Sequence, residues 1–502
     1  MAWASSSVGS IQRPLRGAVA WAVLLSGLSC NAQSEEMNSR GVLLIGIDGL
    51  RADHLSCYGY DRVTTPTLDA LAEDGVAFTQ MFTSSPVVIP AHISLFTGIH
   101  PGVARRFLPG ELEGLGERRW RIPGRVSHLA VEFLASRYAT AAFLDSPLLD
   151  PVYGFGPGFQ VYEVLKKAPG QRVSRTRLSI DRFVTWMRNQ GDKSWFAYLH
   201  LHALEDSWAR PDREWERFFE PRAELSQVPP VGNIDATFFA VPRSRWKGGA
   251  RTLGDYEAAY DGHLRKLDAE IERLLGHLRR SGRYENTSIY VVGTHGMQLG
   301  EAGLYVSSGR YSQADLGVPW IVRTADSTPR GRKIDALVSL VDVPPTLLAM
   351  EGLAVPRGMH GHSRADLILG LDGQGADFVF ASGGIQEGCA VIGERYCLEY
   401  LAPESLGDAE LRRSWLGERS DEPAIPMVRF YDRLADPFPA LAASTEGPPR
   451  LELARYRKAL HTWLDNMSKT QKVLQPNSRS RDGVDPAEIE RLIELGYVGR
   501  LR

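Results

Sequence analysis

The chain has 502 residues, of which 43% are hydrophobic and 24% charged, a composition that excludes a disordered or fibrous protein. Lys and Arg number 58 against 60 Asp and Glu, a formal net charge of -2, so no global field draws the protein to nucleic acid or to an anionic membrane surface. At this length one large domain with a smaller one appended is expected.

In chain order, residues 17–29 (GAVAWAVLLSGLS) form an apolar run preceded by Arg13 and Arg16. The run is short against the roughly 20 residues that span a bilayer, and it reads as an export signal occupying residues 1–33. Cys30 follows Leu28-Ser29 as in a bacterial lipoprotein, whereas Cys30-Asn31-Ala32 also suits ordinary cleavage after small residues. The expected location is the periplasm or envelope, lipid-anchored at Cys30 in the first case.

From Gly41 the run VLLIGID is continuously apolar and ends in a carboxylate, the pattern of a buried parallel strand whose end points at a site. Similar runs recur at 139–144, 195–201, 288–293 and 318–322. Stretches of helical period separate them, at 65–75, 126–137, 177–189 and 254–281. The alternation predicts an α/β fold over 40–372, a mostly parallel central sheet flanked by helices, with its binding site at the C-terminal strand ends. After Gly373 closely spaced short strands (FVFAS, CAVIG, RYCLEYL, MVRFYDRL) and a helix near 450–466 predict a smaller antiparallel sheet plus helix over 373–470. Residues 471–502 read as a linker and a short terminal amphipathic helix. Cys389 and Cys397 flank a Gly393-Glu394 turn, which fits either a disulfide or two buried thiols that never meet.

The stretch from Gly41 to Gly98, with VLLIGID, TPTLDALAEDG and IPAHISLFTG, resembles the opening of the sulfatase family within the alkaline phosphatase superfamily. YDGHLRKLDAEIERLLGHL, SIYVVGTHGMQLGEAGLY, VPWIVR, LVSLVDVPPTLLAMEGL, RFYDRLADP and IERLIELGYV extend the resemblance over about 450 residues. It implies a metal-bound nucleophile attacking sulfur or phosphorus, with the cation held by carboxylates at strand ends. Asp48 matches the first ligand; the alternative is a carboxylate that caps the following helix.

The family's nucleophile, a Cys, Ser or Thr two residues before the helix-opening proline, falls on Val88 before Pro90. Valine can neither attack, nor ligate a metal, nor become formylglycine. Ser84 and Ser85 precede the helix, and Ser94 and Thr97 lie inside it, too displaced for near-attack geometry. The family's Ser-Asp-His-Gly metal motif reads Gly293-Thr294-His295-Gly296, which replaces a metal carboxylate by a hydroxyl. Asp48 and His295 then remain as a remnant metal site for Ca or Mg, weakly held, or His295 is a hydrogen-bonded core histidine.

Erosion continues elsewhere. Ala302-Gly303-Leu304-Tyr305 stands where relatives have His-Gly-Leu-Tyr, Val306-Ser307-Ser308 lacks their lysine, and His202-Ala203-Leu204-Glu205-Asp206-Ser207 replaces His-x-x-Asp-Pro-His. His92 stands where the family carries Arg or His and suits an anion at the helix start or a packed histidine. Arg105 and Arg106 add charge in a Gly/Pro-rich loop or are solvated surface residues.

The resulting expectation is an exported protein of sulfatase fold, catalytically inactive or severely impaired, that binds an anionic ester ligand or a protein partner as a binding or scaffold module. Two alternatives stand beside it. One is an active ester hydrolase using metal-activated water held by Asp48, His295 and Thr294, and the other is a structural envelope protein without a ligand. An open polar pocket around Asp48, His92 and His295 would favour binding or residual activity, whereas filling by Val88 and apolar neighbours would favour the structural role.

Overall fold

The computed structural model describes residues 39–107, 118–165, 173–206, 215, 218–230, 241, 252–301, 305–307, 310–325, 329–384, 388–401, 428–438 and 449–474. The export segment, Cys30, the terminal amphipathic stretch and residues 302–304 and 308–309 lie outside the described residues. Among the described residues no helix is long and apolar enough to cross a membrane.

The strands in chain order are β1 (Gly41–Asp48), β2 (Val76–Phe82), β3 (Arg105–Phe107), β4 (Arg118–Trp120), β5 (Ala139–Leu144), β6 (Val161–Val164), β7 (Trp195–Leu201) and β8 (Thr287–His295). They continue as β9 (Gln298–Leu299), β10 (Tyr305–Ser307), β11 (Trp320–Arg323), β12 (Arg332–Ser339), β13 (Val379–Ser382), β14 (Gly388–Ile392), β15 (Tyr396–Leu401) and β16 (Val428–Asp432). The principal helices are α1 (Pro66–Glu73), α2 (Val88–Thr97), α3 (Leu129–Ala135), α4 (Arg175–Arg188), α5 (Leu253–Arg280), α6 (Val343–Met350) and α7 (Arg450–Leu474).

Eight strands form the central sheet in the order β12-β2-β11-β8-β1-β7-β5-β6. β1 pairs in parallel with both β7 and β8, at the middle of the sheet. That position explains its unbroken apolar sequence: Val42 and Leu44 face a core shared with α2, α3 and α6, while Leu43, Ile45 and Ile47 face one shared with α1, α4 and α5. The run at 318–322 forms β11, which is antiparallel to both its neighbours β2 and β8, so the sheet is mostly rather than wholly parallel. β2, β6 and β12 add strands that the apolar runs do not announce.

The second sheet is antiparallel, in the order β13-β14-β15-β16, and α7 packs on it through Tyr456, beside Val391 and Leu398. Its register settles the cysteines. Cys389 lies opposite Tyr400, whereas Cys397 lies opposite Ile392, so the two are displaced along the ladder and point to opposite faces. Three residues of strand span about 10 Å, beyond the reach of a disulfide, and the two are separate buried thiols.

α2 enters after β2 and ends at Gly98, whose positive φ of 66° closes the helix in the left-handed conformation that glycine adopts without strain. Its first turn therefore lies beside the C-terminal ends of the central strands, where the site is built.

Candidate functional site

The C-terminal ends of β1, β7 and β8 converge because they are neighbours in one parallel array. Gly46 of β1 is level with His200 of β7 and Val292 of β8, and Asp48 is level with His295 after a register shift at the end of β1. On β7 the period of two puts Tyr198 and His200 on the face of Phe196, the face that α2 covers. Gly46 makes this arrangement fit. A Cβ there would lie 2.2 Å from the Tyr198 hydroxyl, so only a residue without a side chain lets the phenol cross the end of β1.

Asp48 is wholly buried, and three neighbours donate to it. His200 Nε2 lies 2.9 Å and His202 Nδ1 2.7 Å from Oδ2, and the Thr294 hydroxyl donates to Oδ1. His295 Nε2 is 3.9 Å from Oδ1 and has no hydrogen-bond partner. Behind His200, Asp145 Oδ1 stands 3.9 Å from its Nδ1, and Asp145 also accepts from the His202 amide at 2.6 Å and from Thr176 Oγ1 at 2.7 Å.

Burial works to raise the Asp48 carboxyl, but the charge and hydrogen bond of His200, followed by those of His202, overcome it and hold the group well below the ordinary carboxylate range. For His202 burial opposes protonation, and the hydrogen bond and charge of Asp48 outweigh it, so the imidazole is raised above its ordinary value. Asp145, enclosed and only partly compensated by the histidines, is pushed up by burial. The cluster therefore pairs its carboxylate with imidazole donors, where the sulfatase resemblance implies carboxylates gathered for a cation.

Each residue expected from the sequence has a definite place. Val88 is buried at the first position of α2, and its carbonyl accepts from His92 Nδ1 at 2.7 Å. His92 lies one turn into the helix with both ring nitrogens engaged, since Nε2 meets the Tyr198 hydroxyl at 2.7 Å. Burial, with His200 beside it, pushes His92 down to about 3, so it is a neutral packed imidazole rather than a cation awaiting an anion. Asp48 caps no helix; its oxygens face the histidines and Thr294. Arg105 and Arg106 lie on β3, paired with β4, rather than in an irregular loop, and their side chains are outside the described residues.

The other hydroxyls near the helix start are committed or enclosed. Ser94 Oγ donates to the Ile99 carbonyl at 2.8 Å, Thr97 Oγ1 to the Ile93 carbonyl, and Ser84 is buried. Asp48, His92, His200, Thr294 and His295 are all closed to solvent, with Val88 buried beside them, so the open polar pocket that would favour binding or residual activity does not form at this centre. One cavity of about 550 Å³ lies elsewhere, beside Arg121, Ile122, Arg125 and His128.

His200, His202, Tyr198 and Asp145 were not predicted as site residues. His202 stands in the segment that reads as eroded when matched to its family counterpart, yet its imidazole reaches Asp48. Two signals point to the others. His200 and Tyr198 alternate on one face of a recognisable strand, and Asp145 directly follows the 139–144 run, where parallel strands present ligands. The ligand atoms of Asp48, His92 and His200 all lie within 4.8 Å of one another, a group able to hold a metal ion.

Residues 40–353 match the Sulfatase family, well over half of the chain. An N-acetylgalactosamine-6-O-sulfatase of Bacteroides thetaiotaomicron is 36% identical over 499 residues, covering 82% of this chain and 92% of its own. A sulfatase of Formosa agariphila is 24% identical over 384 residues, covering 65% of this chain and 73% of its own. Among solved structures, a phosphonate monoester hydrolase of Agrobacterium radiobacter superposes with a TM-score of 0.63 at 19% identity, covering 86% of this chain and 96% of that one.

Proposed function

The chain belongs to the sulfatase family, and from that premise we propose that it lacks the family's covalent ester hydrolysis and serves as a binding or scaffold module for an anionic ester or a protein partner. The observation that carries this reading is Val88 at the start of α2, where hydrolysis by the covalent route needs a heteroatom. The Thr294 hydroxyl adds to it, because it occupies Asp48 Oδ1 with a hydrogen bond at the position where the resemblance implies a second carboxylate. We further propose that the protein is exported, with its mature end at Cys30 under lipid or after Ala32. A Ca or Mg ion at Asp48 would be weakly held.

One observation favours a second reading. The Asp48, His92 and His200 group could hold a metal, which when bound would activate water without a protein nucleophile. In that reading Asp48, Thr294 and His295 would orient the water and the ester, and the envelope of β1, β7 and α2 would keep bulk solvent out.

The test is turnover of aryl sulfates and phosphodiesters by purified protein lacking residues 1–33, with divalent cations added. Background rates are expected. The double change Val88→Thr with Thr294→Asp is expected to raise metal affinity and to yield more phosphodiesterase activity than either single change, because groups that act as a unit do not contribute additively. Metal-dependent turnover by the unaltered protein, well above background and abolished by Asp48→Ala, would overturn the first reading in favour of the second.

A further inference from the structure

We infer that the histidine cluster around Asp48 is a site for a borderline transition dication, zinc(II) foremost, and not for a hard oxygen-seeking cation. The inference goes beyond the loss of covalent chemistry proposed above and holds whether or not any ester is turned over. It starts from the donor set. A hard dication such as Ca²⁺ takes six to eight oxygens, and this cluster offers it one carboxylate, Asp48, and one hydroxyl, Thr294. Nitrogen dominates instead, from His92, His200, His202 and His295. Imidazole with a single carboxylate suits zinc and its neighbours, with donors at about 2.0–2.1 Å from the metal.

The tautomers point the same way, independently of the clustering. The Nδ1 atoms of His92 and His295 each face a backbone carbonyl, Val88 at 2.7 Å and Gly296 at 2.8 Å. A carbonyl only accepts, so Nδ1 carries the proton in both rings and Nε2 holds the lone pair, which in His92 accepts from the Tyr198 hydroxyl at 2.7 Å and in His295 faces Asp48 Oδ1 at 3.9 Å. In His295 that buried Nε2 has no hydrogen-bond partner. An imidazole whose far nitrogen is tied to a carbonyl is the usual form of a metal-ligating histidine.

His200 has the other usual support, a carboxylate behind the ring. Its Nε2 meets Asp48 at 2.9 Å, while its buried, unpartnered Nδ1 lies 3.9 Å from Asp145. With a metal in place of the Asp48 contact, a small rotation that moves the ring proton to Nδ1 would let Nδ1 donate to Asp145 and aim the Nε2 lone pair at the metal. Asp145 also supplies a second buried negative charge beside Asp48, as a dication in a closed site requires. The short contacts from His200 and His202 to Asp48 are the hydrogen bonds that a shared cation would replace.

The full chain without residues 1–33, purified without chelator, is expected to carry close to one zinc by elemental analysis. Stripped with dipicolinate, it should melt at a lower temperature, and Zn²⁺ but not millimolar Ca²⁺ or Mg²⁺ should restore the loss. Co²⁺ added to the stripped protein should give the intense visible bands of a four-coordinate nitrogen and oxygen site, a readout that needs no variant to fold. His295→Gln and His200→Ala should each lower zinc affinity at least tenfold, and Asp145→Asn, a change to a positioning residue, about 10–100-fold. His461→Ala, on the exposed face of α7, should leave it unchanged. Absence of zinc and of cobalt bands, restoration by Ca²⁺ or Mg²⁺ alone, or zinc affinity unchanged in His295→Gln and His200→Ala would each overturn the assignment.

Discussion

A fully enclosed carboxylate is tolerated only where neighbours compensate its charge or its proton, and the two most telling acids of this protein are handled in opposite ways. Asp48 is kept ionised by histidines. Asp315 is held by Gln298 Nε2 at 2.6 Å and Ser312 Oγ at 3.0 Å, both on Oδ2, while Oδ1 is buried without a partner. Burial pushes Asp315 up to about 7, with Gln298, Ser312, Arg310 and Arg51 only partly opposing it. Because the folded state keeps a proton that the unfolded chain releases near pH 4, this group's contribution is intact below about pH 4 and is lost as pH rises to about 7. Asp315→Asn mimics the protonated acid, so it should match the parent at pH 4 and exceed it at pH 8, by up to about 4 kcal/mol in urea unfolding. A variant that tracks the parent across that range would show that Asp315 titrates normally. At Gly46 the constraint is steric. Gly46→Ala would drive a methyl into the Tyr198 hydroxyl, 2.2 Å from the built Cβ position, and should cost about 2 kcal/mol or more while releasing Tyr198 from His92. Denaturant midpoints measure the cost, and Tyr198→Phe as a background should recover the larger part of it, since it removes the 2.2 Å hydroxyl contact and leaves the ring carbons at 3.0 Å. At this scale the placement of Asp48 and His295 at adjoining strand ends and of Val88 at a helix start is legible from motif position alone. That of His200 and Asp145 is not, because their roles depend on which strands lie side by side, and pairing is a property of the sheet rather than of either segment.

Elements were legible where burial and period act together. β1, β5, β7 and β8 are covered by helices on both faces or lie near the sheet centre, so their sequences are unbroken apolar runs. β12 and β6, at the two edges, carry Arg332, Lys333, Asp335 and Glu163, and this polar content hides them from a search for apolar runs. Strand direction is not written in an apolar run at all, which is why β11 reads like its parallel neighbours although it runs against them. α5 shows how much a helix boundary owes to local chemistry. Thr252 accepts from the Asp255 amide at 3.3 Å while Asp255 Oδ2 takes the Thr252 amide at 2.8 Å, a capping box at the start of a 28-residue helix. Thr252→Ala should cost about 1 kcal/mol, and Thr252→Ser should recover most of it. Equal stability of the three proteins in urea would mean that tertiary packing alone fixes this end.

On the scale of the whole molecule, the second sheet is tied to the first where α2 begins. The Ser382 amide donates to the Ser84 carbonyl at 2.9 Å, and Tyr311 Oη donates to the Gly388 carbonyl at 2.8 Å while accepting from the Gly384 amide at 3.0 Å. Arg433 donates to the Gly393 carbonyl at 2.8 Å and to Gln80 of β2. One apolar cluster joins Phe82, Leu316 and Leu337 to Val379, Ala381, Ala390 and Ile392. Farther along, Trp463 of α7 stacks on Phe380 at 5.1 Å and meets His100, just beyond α2, edge-on at 5.4 Å. The change of rhythm near Gly373 marks a second sheet, but these contacts argue that it does not unfold by itself. In native-state hydrogen exchange, amides of 388–392 and of 195–201 should therefore open with the same free energy and the same denaturant dependence. Trp463→Ala, which removes a ring only 7% exposed, should lower both values together by about 3 kcal/mol. Exchange of 388–392 at markedly lower free energy, with 195–201 unaffected by the substitution, would identify the second sheet as an independent unit and loosen its hold on the start of α2, where Val88 stands.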